Sequence, residues 1–106
     1  MNQRGQFRVA VERQGMVTLG TKTSRCNVRN LTEKGLLLET DLQIAAGDTI
    51  RIECQLDEHS NIHCELLVAS ATPPFFGGPI TQISPEHQQQ LTNFMNRLIT
   101  ANLAGL

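Results

Sequence analysis

Residues 49–69, TIRIECQLDEHSNIHCELLVA, alternate apolar and polar side chains on both sides of a polar break. Ile50, Ile52, Cys54 and Leu56 share one parity, and Ile62, Cys64, Leu66 and Val68 repeat it on the return. A period of two puts each set on one face of an extended strand. A turn centred on His59 makes this a hairpin, pairing Leu56 with Ile62, Cys54 with Cys64, and Ile52 with Leu66 on its inner face. Facing core positions suit Cys54 and Cys64 as small apolar side chains with free thiols.

The same period runs through most of the chain. Val9, Val11, Val17 and Leu19 share a parity, with Gly15 expected to mark a bulge or bend. Cys26 and Val28 alternate with Arg25, Asn27 and Arg29, so the arginines should face outward. After Gly35 the run LLLE begins a short buried strand, and TDLQIAAGD reads as a connection closing on a Gly47–Asp48 turn. TPPFFGGPI is expected to break the chain before a last strand over residues 80–83. Then the pattern changes. Ser84 suits an N-cap, Pro85 the first helical position, and Glu86 the positive end of the helix dipole. Leu91, Phe94, Met95, Leu98 and Ile99 form one apolar stripe of a helix over residues 84–101. That stripe either covers the β domain or offers a face to a partner.

With 106 residues the chain is long enough for one domain with a modest core. No apolar run approaches the roughly 18–20 residues of a membrane span. MNQRGQFR has no apolar stretch behind its charges, so it does not read as a signal peptide. Three cysteines, an odd number, fit a cytoplasmic location. The net charge of −1 conceals a split. Residues 1–34 hold seven bases against two acids, a net of +5, and residues 35–106 hold two against eight, a net of −6. Such a division points to an anion-binding face, or else to charges segregated without function on a solvated surface. Long nucleic acid is not expected, because the whole chain is slightly acidic and has no Trp or Tyr for stacking.

Enzymatic chemistry finds no support. There is no Gly-x-Ser-x-Gly, no phosphate-binding glycine loop and no Cys-x-x-Cys. His59, His63 and Cys64 are close in sequence, yet His63 should point outward and Cys64 inward, which cannot build a tetrahedral metal shell.

The arginines and the turn after residue 29 say more together than apart. Arg4 and Arg8 place two guanidiniums four residues apart, on a segment whose one large apolar side chain beyond Met1 is Phe7. Guanidinium suits bidentate contact with phosphate or with the O6/N7 edge of guanine. Asn30 donates and accepts, Thr32 offers a hydroxyl on the same side of an extended chain, and Gly35 permits a positive φ or a close ligand approach. Taken alone, Asn30, Thr32 and Gly35 are ordinary turn formers.

In combination, RGQFR (4–8) followed by NLTEKG (30–35) resembles the PilZ family, whose signature is Arg-x-x-x-Arg and then Asp/Asn-x-Ser-x-x-Gly. FGGPITQISPEHQQQLTNFM is similar to the family's final strand and C-terminal helix, so the resemblance spans nearly the whole chain. Thr32 stands where Ser is usual and keeps the hydroxyl. Gln3 stands where many members have a second Arg.

The resemblance implies a mainly β fold, a six-stranded antiparallel β-barrel with one C-terminal α-helix. In this single domain of residues 1–106, residues 1–8 would be a mobile ligand-clasping segment, 9–83 the barrel and 84–101 the helix. It further implies a cyclic di-GMP receptor in which Arg4 and Arg8 clasp guanine and phosphate while Asn30, Thr32 and Gly35 grip a guanine and its neighbouring phosphate. Such a receptor needs no metal or other cofactor, is not an enzyme, and passes a bacterial second-messenger signal to a downstream protein, as monomer or dimer. The alternatives are a PilZ-like adaptor of pilus or motility assembly that binds no nucleotide and, behind it, a barrel for single-stranded nucleic acid.

Overall fold

The computed structural model describes residues 8–104. Seven strands precede one helix: β1 (Val9–Leu19), β2 (Lys22–Leu31), β3 (Gly35–Thr40), β4 (Thr49–Asp57), β5 (Ser60–Leu67), β6 (Ser70–Thr72), β7 (Phe75–Ile83) and α1 (Pro85–Ala104). The expectation for residues 1–7, including Arg4 and Phe7, lies outside the described residues.

All pairings are antiparallel, in the order β3-β2-β1-β4-β5-β7-β6, and β3 also pairs with β7, which closes the sheet on itself. β5 and β6 together form one wall of this barrel. Glu65 opposes Gln82 and Ser70 opposes Gly77, the same register on the same partner strand. Between them Val68 turns aside to bond the Gly47–Asp48 turn, its N–H donating to Asp48 O (2.9 Å) and its O accepting from Gly47 N–H (2.8 Å). Counted by walls, this is the six-stranded barrel.

Alternation fills the interior. Ile50, Ile52, Leu56, Ile62 and Leu66 are buried on the hairpin, as are Val28, Leu31, Leu36 and Leu38 on β2 and β3. Truncating one such side chain, Ile52→Ala for example, costs roughly 2–5 kcal/mol. The parity expected for β4 and β5 holds, but the register does not. Ile52 opposes Cys64, Cys54 opposes Ile62 and Ile50 opposes Leu66. The two strands are therefore displaced by two residues from the expected pairing, and Cys54 does not face Cys64. Asp57 causes this: its carboxylate accepts the His59 N–H (2.8 Å), fixing a turn at Glu58–His59 with a bulge between Gln55 and Asp57. A slip of two keeps every side chain on its own face, so both thiols are still buried and free.

Gly15 corrects another expectation. Pairing runs through it regularly, opposite Cys26 on one side and Cys54 on the other, while the irregularity in β1 falls between Ala10 and Arg13. A Cβ at Gly15 would run into Glu53 O and crowd the Cys54 side chain, so this glycine lets two strands approach. Gly77 and Gly78 likewise do not break the chain. They lie in the middle of β7, where a Cβ at Gly78 would meet Leu67 O and Ala69 N.

Helix α1 starts as expected. Ser84 Oγ accepts the His87 N–H (3.2 Å), and Ser84 O accepts the Gln88 N–H (2.8 Å). Leu91, Phe94 and Met95 are buried against the barrel core, and Leu98 packs beside them. The helix covers a gap as well as a surface. β7 pairs with β5 only as far as Cys64–Ile83. Beyond that point the Asn61 N–H donates to Gln90 Oε1 (2.7 Å) and the His63 N–H to His87 Nδ1 (3.1 Å). Helix side chains thus satisfy an edge that a seventh wall would otherwise have to pair.

Candidate functional site

The end of β2 and the start of β3 build one side of a shallow cleft. β2 is bulged at Arg29, between Val28 and Asn30, so the strand re-aims just before the turn. Asn30 then opposes Leu37 on β3 and Ala10 on β1. Buried Leu31 anchors the strand from the inside, leaving Asn30 and Thr32 on the outer face.

Thr32 holds the turn together. Its hydroxyl accepts from the Gly35 N–H (2.8 Å) and the Lys34 N–H (3.1 Å) and lies 3.3 Å from Gly35 O, to which it donates. The Thr32 N–H also donates to Gly35 O (2.9 Å). Thr32 is therefore a turn former, and its hydroxyl already has protein partners.

Gly35 begins β3 without a positive φ, which among the described residues belongs to Gly20 (63°) and Gly47 (95°). The left-handed conformation weighed for Gly35 is not adopted. What requires glycine there is the opposite strand, since a Cβ would sit 2.8 Å from Gly78 O.

The cleft so formed has a volume of about 580 Å³, within the range of small-molecule sites. Four of the five residues expected from sequence line it: Arg8, Asn30, Thr32 and Gly35. The fifth, Arg4, lies outside the described residues. Lys34, Ser70 and the Gly77–Pro79 stretch of β7 also line it, and sequence reasoning did not assign them. The glycine pair was the available signal, because Gly-Gly inside a strand marks a close backbone approach.

Several cations elsewhere are engaged in structure. Arg13 Nε donates to Leu56 O (2.6 Å), and its guanidinium lies 5.5 Å from the centre of the Phe94 ring. Arg29 pairs with Glu39 at 3.2 Å. Arg97 pairs with Asp57 at 2.6 Å. Arg25 lines a separate cleft with Gln14, Asn27, Glu39 and Asp41. Among the described residues, Arg8 and Lys34 are the cations that line the first cleft. His63 and Cys64 diverge as expected, His63 exposed beside Glu53 (3.2 Å) and stacked on His87, Cys64 buried.

No helix among the described residues is long and apolar enough to cross a membrane. No curated protein matches the chain significantly. Among solved structures it is similar to the Bacillus subtilis inhibitor of motility (MotI/DgrA), with a TM-score of 0.76 at 18% identity. That match covers 94% of this chain and 53% of the other, so the chain spans about half of that protein's length. The likeness concerns the fold. The PilZ domain profile matches residues 2–97, both halves of the motif included, and by that measure the chain belongs to the PilZ domain family.

Proposed function

We propose that the protein is a receptor for cyclic di-GMP that hands the signal to a protein partner and performs no catalysis. The observation that supports this reading is the meeting of Arg8, Asn30, Thr32 and Gly35 around one cleft. Arg8 immediately precedes β1, Asn30 lies at the end of β2 with Thr32 just beyond it, and Gly35 opens β3. Arg8, with Arg4, would take phosphate and the O6/N7 edge of guanine through bidentate donors. Asn30 would contact a second base edge, and the turn from Thr32 to Gly35 would take the adjoining phosphate. Cyclic di-GMP would be met in the cytoplasm. The partner class we favour is a motility component, by analogy of fold with the B. subtilis inhibitor of motility.

Calorimetric titration of cyclic di-GMP into the protein, Arg8→Ala and Arg25→Ala tests the reading. Losing a charge-assisted contact costs about 1.5–3 kcal/mol, roughly ten- to a hundredfold in affinity. Arg8→Ala should show that loss, and Arg25→Ala, away from the cleft, should stay within about threefold. Equal losses would mean diffuse electrostatics. No binding by the unmodified protein would leave the nucleotide-free adaptor as the better reading.

A further inference from the structure

The turn that bears Thr32 and Gly35 is tied to helix α1 as well as to itself. Thr92 Oγ1 donates to Glu33 Oε2 (3.1 Å), and Gln88 Nε2 lies 3.4 Å from both Glu33 O and Thr92 Oγ1. Thr32, Lys34 and Gly35 line the cleft, whereas Glu33, between them, does not. The turn thereby sorts its charges. Lys34 lines the cleft, and the Glu33 carboxylate is drawn toward the helix.

We infer that Thr92, assisted by Gln88, is a positioning residue for the ligand cleft, keeping the Glu33 carboxylate out of it; this rests on the cyclic di-GMP reading above. A carboxylate released from Thr92 is one side chain away from Lys34 and shares its turn with Thr32. There it pairs with Lys34 or Arg8 and repels an incoming phosphate. A carboxylate held on Thr92 does neither. Helix α1 touches no ligand in this scheme, and its contribution is made through Glu33. Binding linkage runs both ways: whatever affinity the helix lends to the ligand, bound ligand returns as firmer docking of the α1 N-terminal half.

A thermodynamic cycle tests this with cyclic di-GMP calorimetry on the full chain at low and moderate salt. Thr92→Val keeps the shape and removes the hydroxyl. It should weaken binding about three- to tenfold, the range for one partly screened charge near a phosphate, with the loss shrinking as salt rises. Thr92→Ser should restore affinity. In a Glu33→Gln background, Thr92→Val should change nothing, because no charge remains to be held away. Unchanged affinity in Thr92→Val overturns the positioning role while leaving the nucleotide reading intact. The same loss with and without Glu33→Gln also overturns it, since Thr92 would then act through the fold alone. If the unmodified protein binds no cyclic di-GMP, the nucleotide reading fails and the positioning role fails with it.

Discussion

Raising the pH to about 10 should remove a substantial share of the stability of this barrel, and three interior thiols are the reason. Cys26, Cys54 and Cys64 are buried and free. Burial pushes the Cys26 and Cys64 thiols up to about 12, with neighbouring Cys54 adding to it. Burial also pushes Cys54 up to about 11, against the opposing influence of Arg13. Unfolded, all three ionise near their ordinary 9.0. Because the folded values are raised, their contribution is fully present below about pH 9 and is lost as pH climbs toward 11 and 12. At about pH 10 the unfolded chain gains ~1.4 kcal/mol per thiol, or about 4 kcal/mol for the three. A domain of this size typically has about 5–15 kcal/mol in all. No tyrosine confuses the window, since the chain has none. Urea unfolding followed by far-UV circular dichroism at about pH 7.5 and about pH 10 measures the effect. The midpoint of the unmodified protein should fall steeply. A Cys26→Ala/Cys54→Ala/Cys64→Ala variant should start lower but stay nearly level with pH. An unchanged midpoint in the unmodified protein, or an equal fall in the triple variant, would refute the argument.

Gly35→Ala should cost about 1–3 kcal/mol, because its Cβ, 2.8 Å from Gly78 O, must push β3 and β7 apart. It should also weaken cyclic di-GMP binding, whereas Gly20→Ala, strained at a positive φ in the distant β1–β2 turn, should lower the melting temperature alone; matching effects on binding would count against the cleft. Asp57→Asn should flatten the acid limb of stability. Desolvation alone would raise the Asp57 carboxyl, but the His59 N–H, Arg97 and Ser60 together hold it below its ordinary 3.8. That contribution is present above about pH 4 and lost as pH falls through the lowered folded value, so superimposable denaturation profiles below about pH 4 would contradict it.

Parity is a local property, and it was legible wherever the chain alternates. Ile50 to Leu56 and Ile62 to Leu66 reveal their inner face within a few residues. Register is not local in the same way. A slip of two residues leaves parity intact, so the alternation could not distinguish Cys54 opposite Cys64 from Cys54 opposite Ile62. The Asp57 carboxylate decided it at the turn. Gly77–Gly78–Pro79 misled for a different reason. Glycine and proline usually interrupt a strand, but here the barrel closes by bringing β3, β5 and β7 so near that a side chain has no room. The cleft divides along the same line. Asn30, Thr32 and Gly35 lie within six consecutive residues and could be read together. Lys34 was within that span but carried no pattern of its own, and residues 77–79 reach the cleft only by pairing with β3, far away in sequence, with Ser70 beside them on β6.

The positive excess of the first 34 residues finds a physical account once the side chains are placed. Of its seven bases, Arg13 is held by the Leu56 carbonyl and the Phe94 ring, and Arg29 by Glu39. Arg25 stands at another cleft, and Lys22 lies at the start of β2 beside the β1–β2 turn. Arg8 and Lys34 remain at the candidate site among the described residues. A surface that neutralises long nucleic acid spreads many cations along the backbone, commonly about 6–10 phosphate contacts, and its affinity falls steeply with salt. Two cations among the described residues, joined in the proposed complex by Arg4, at a cleft of about 580 Å³ suit instead a compact ligand with few phosphates, recognised as much by its base edges as by its charge. The proposed cyclic dinucleotide carries two phosphates and two guanines. Its binding should therefore weaken only modestly with added salt, and the share of affinity that resists salt is the share contributed by guanine.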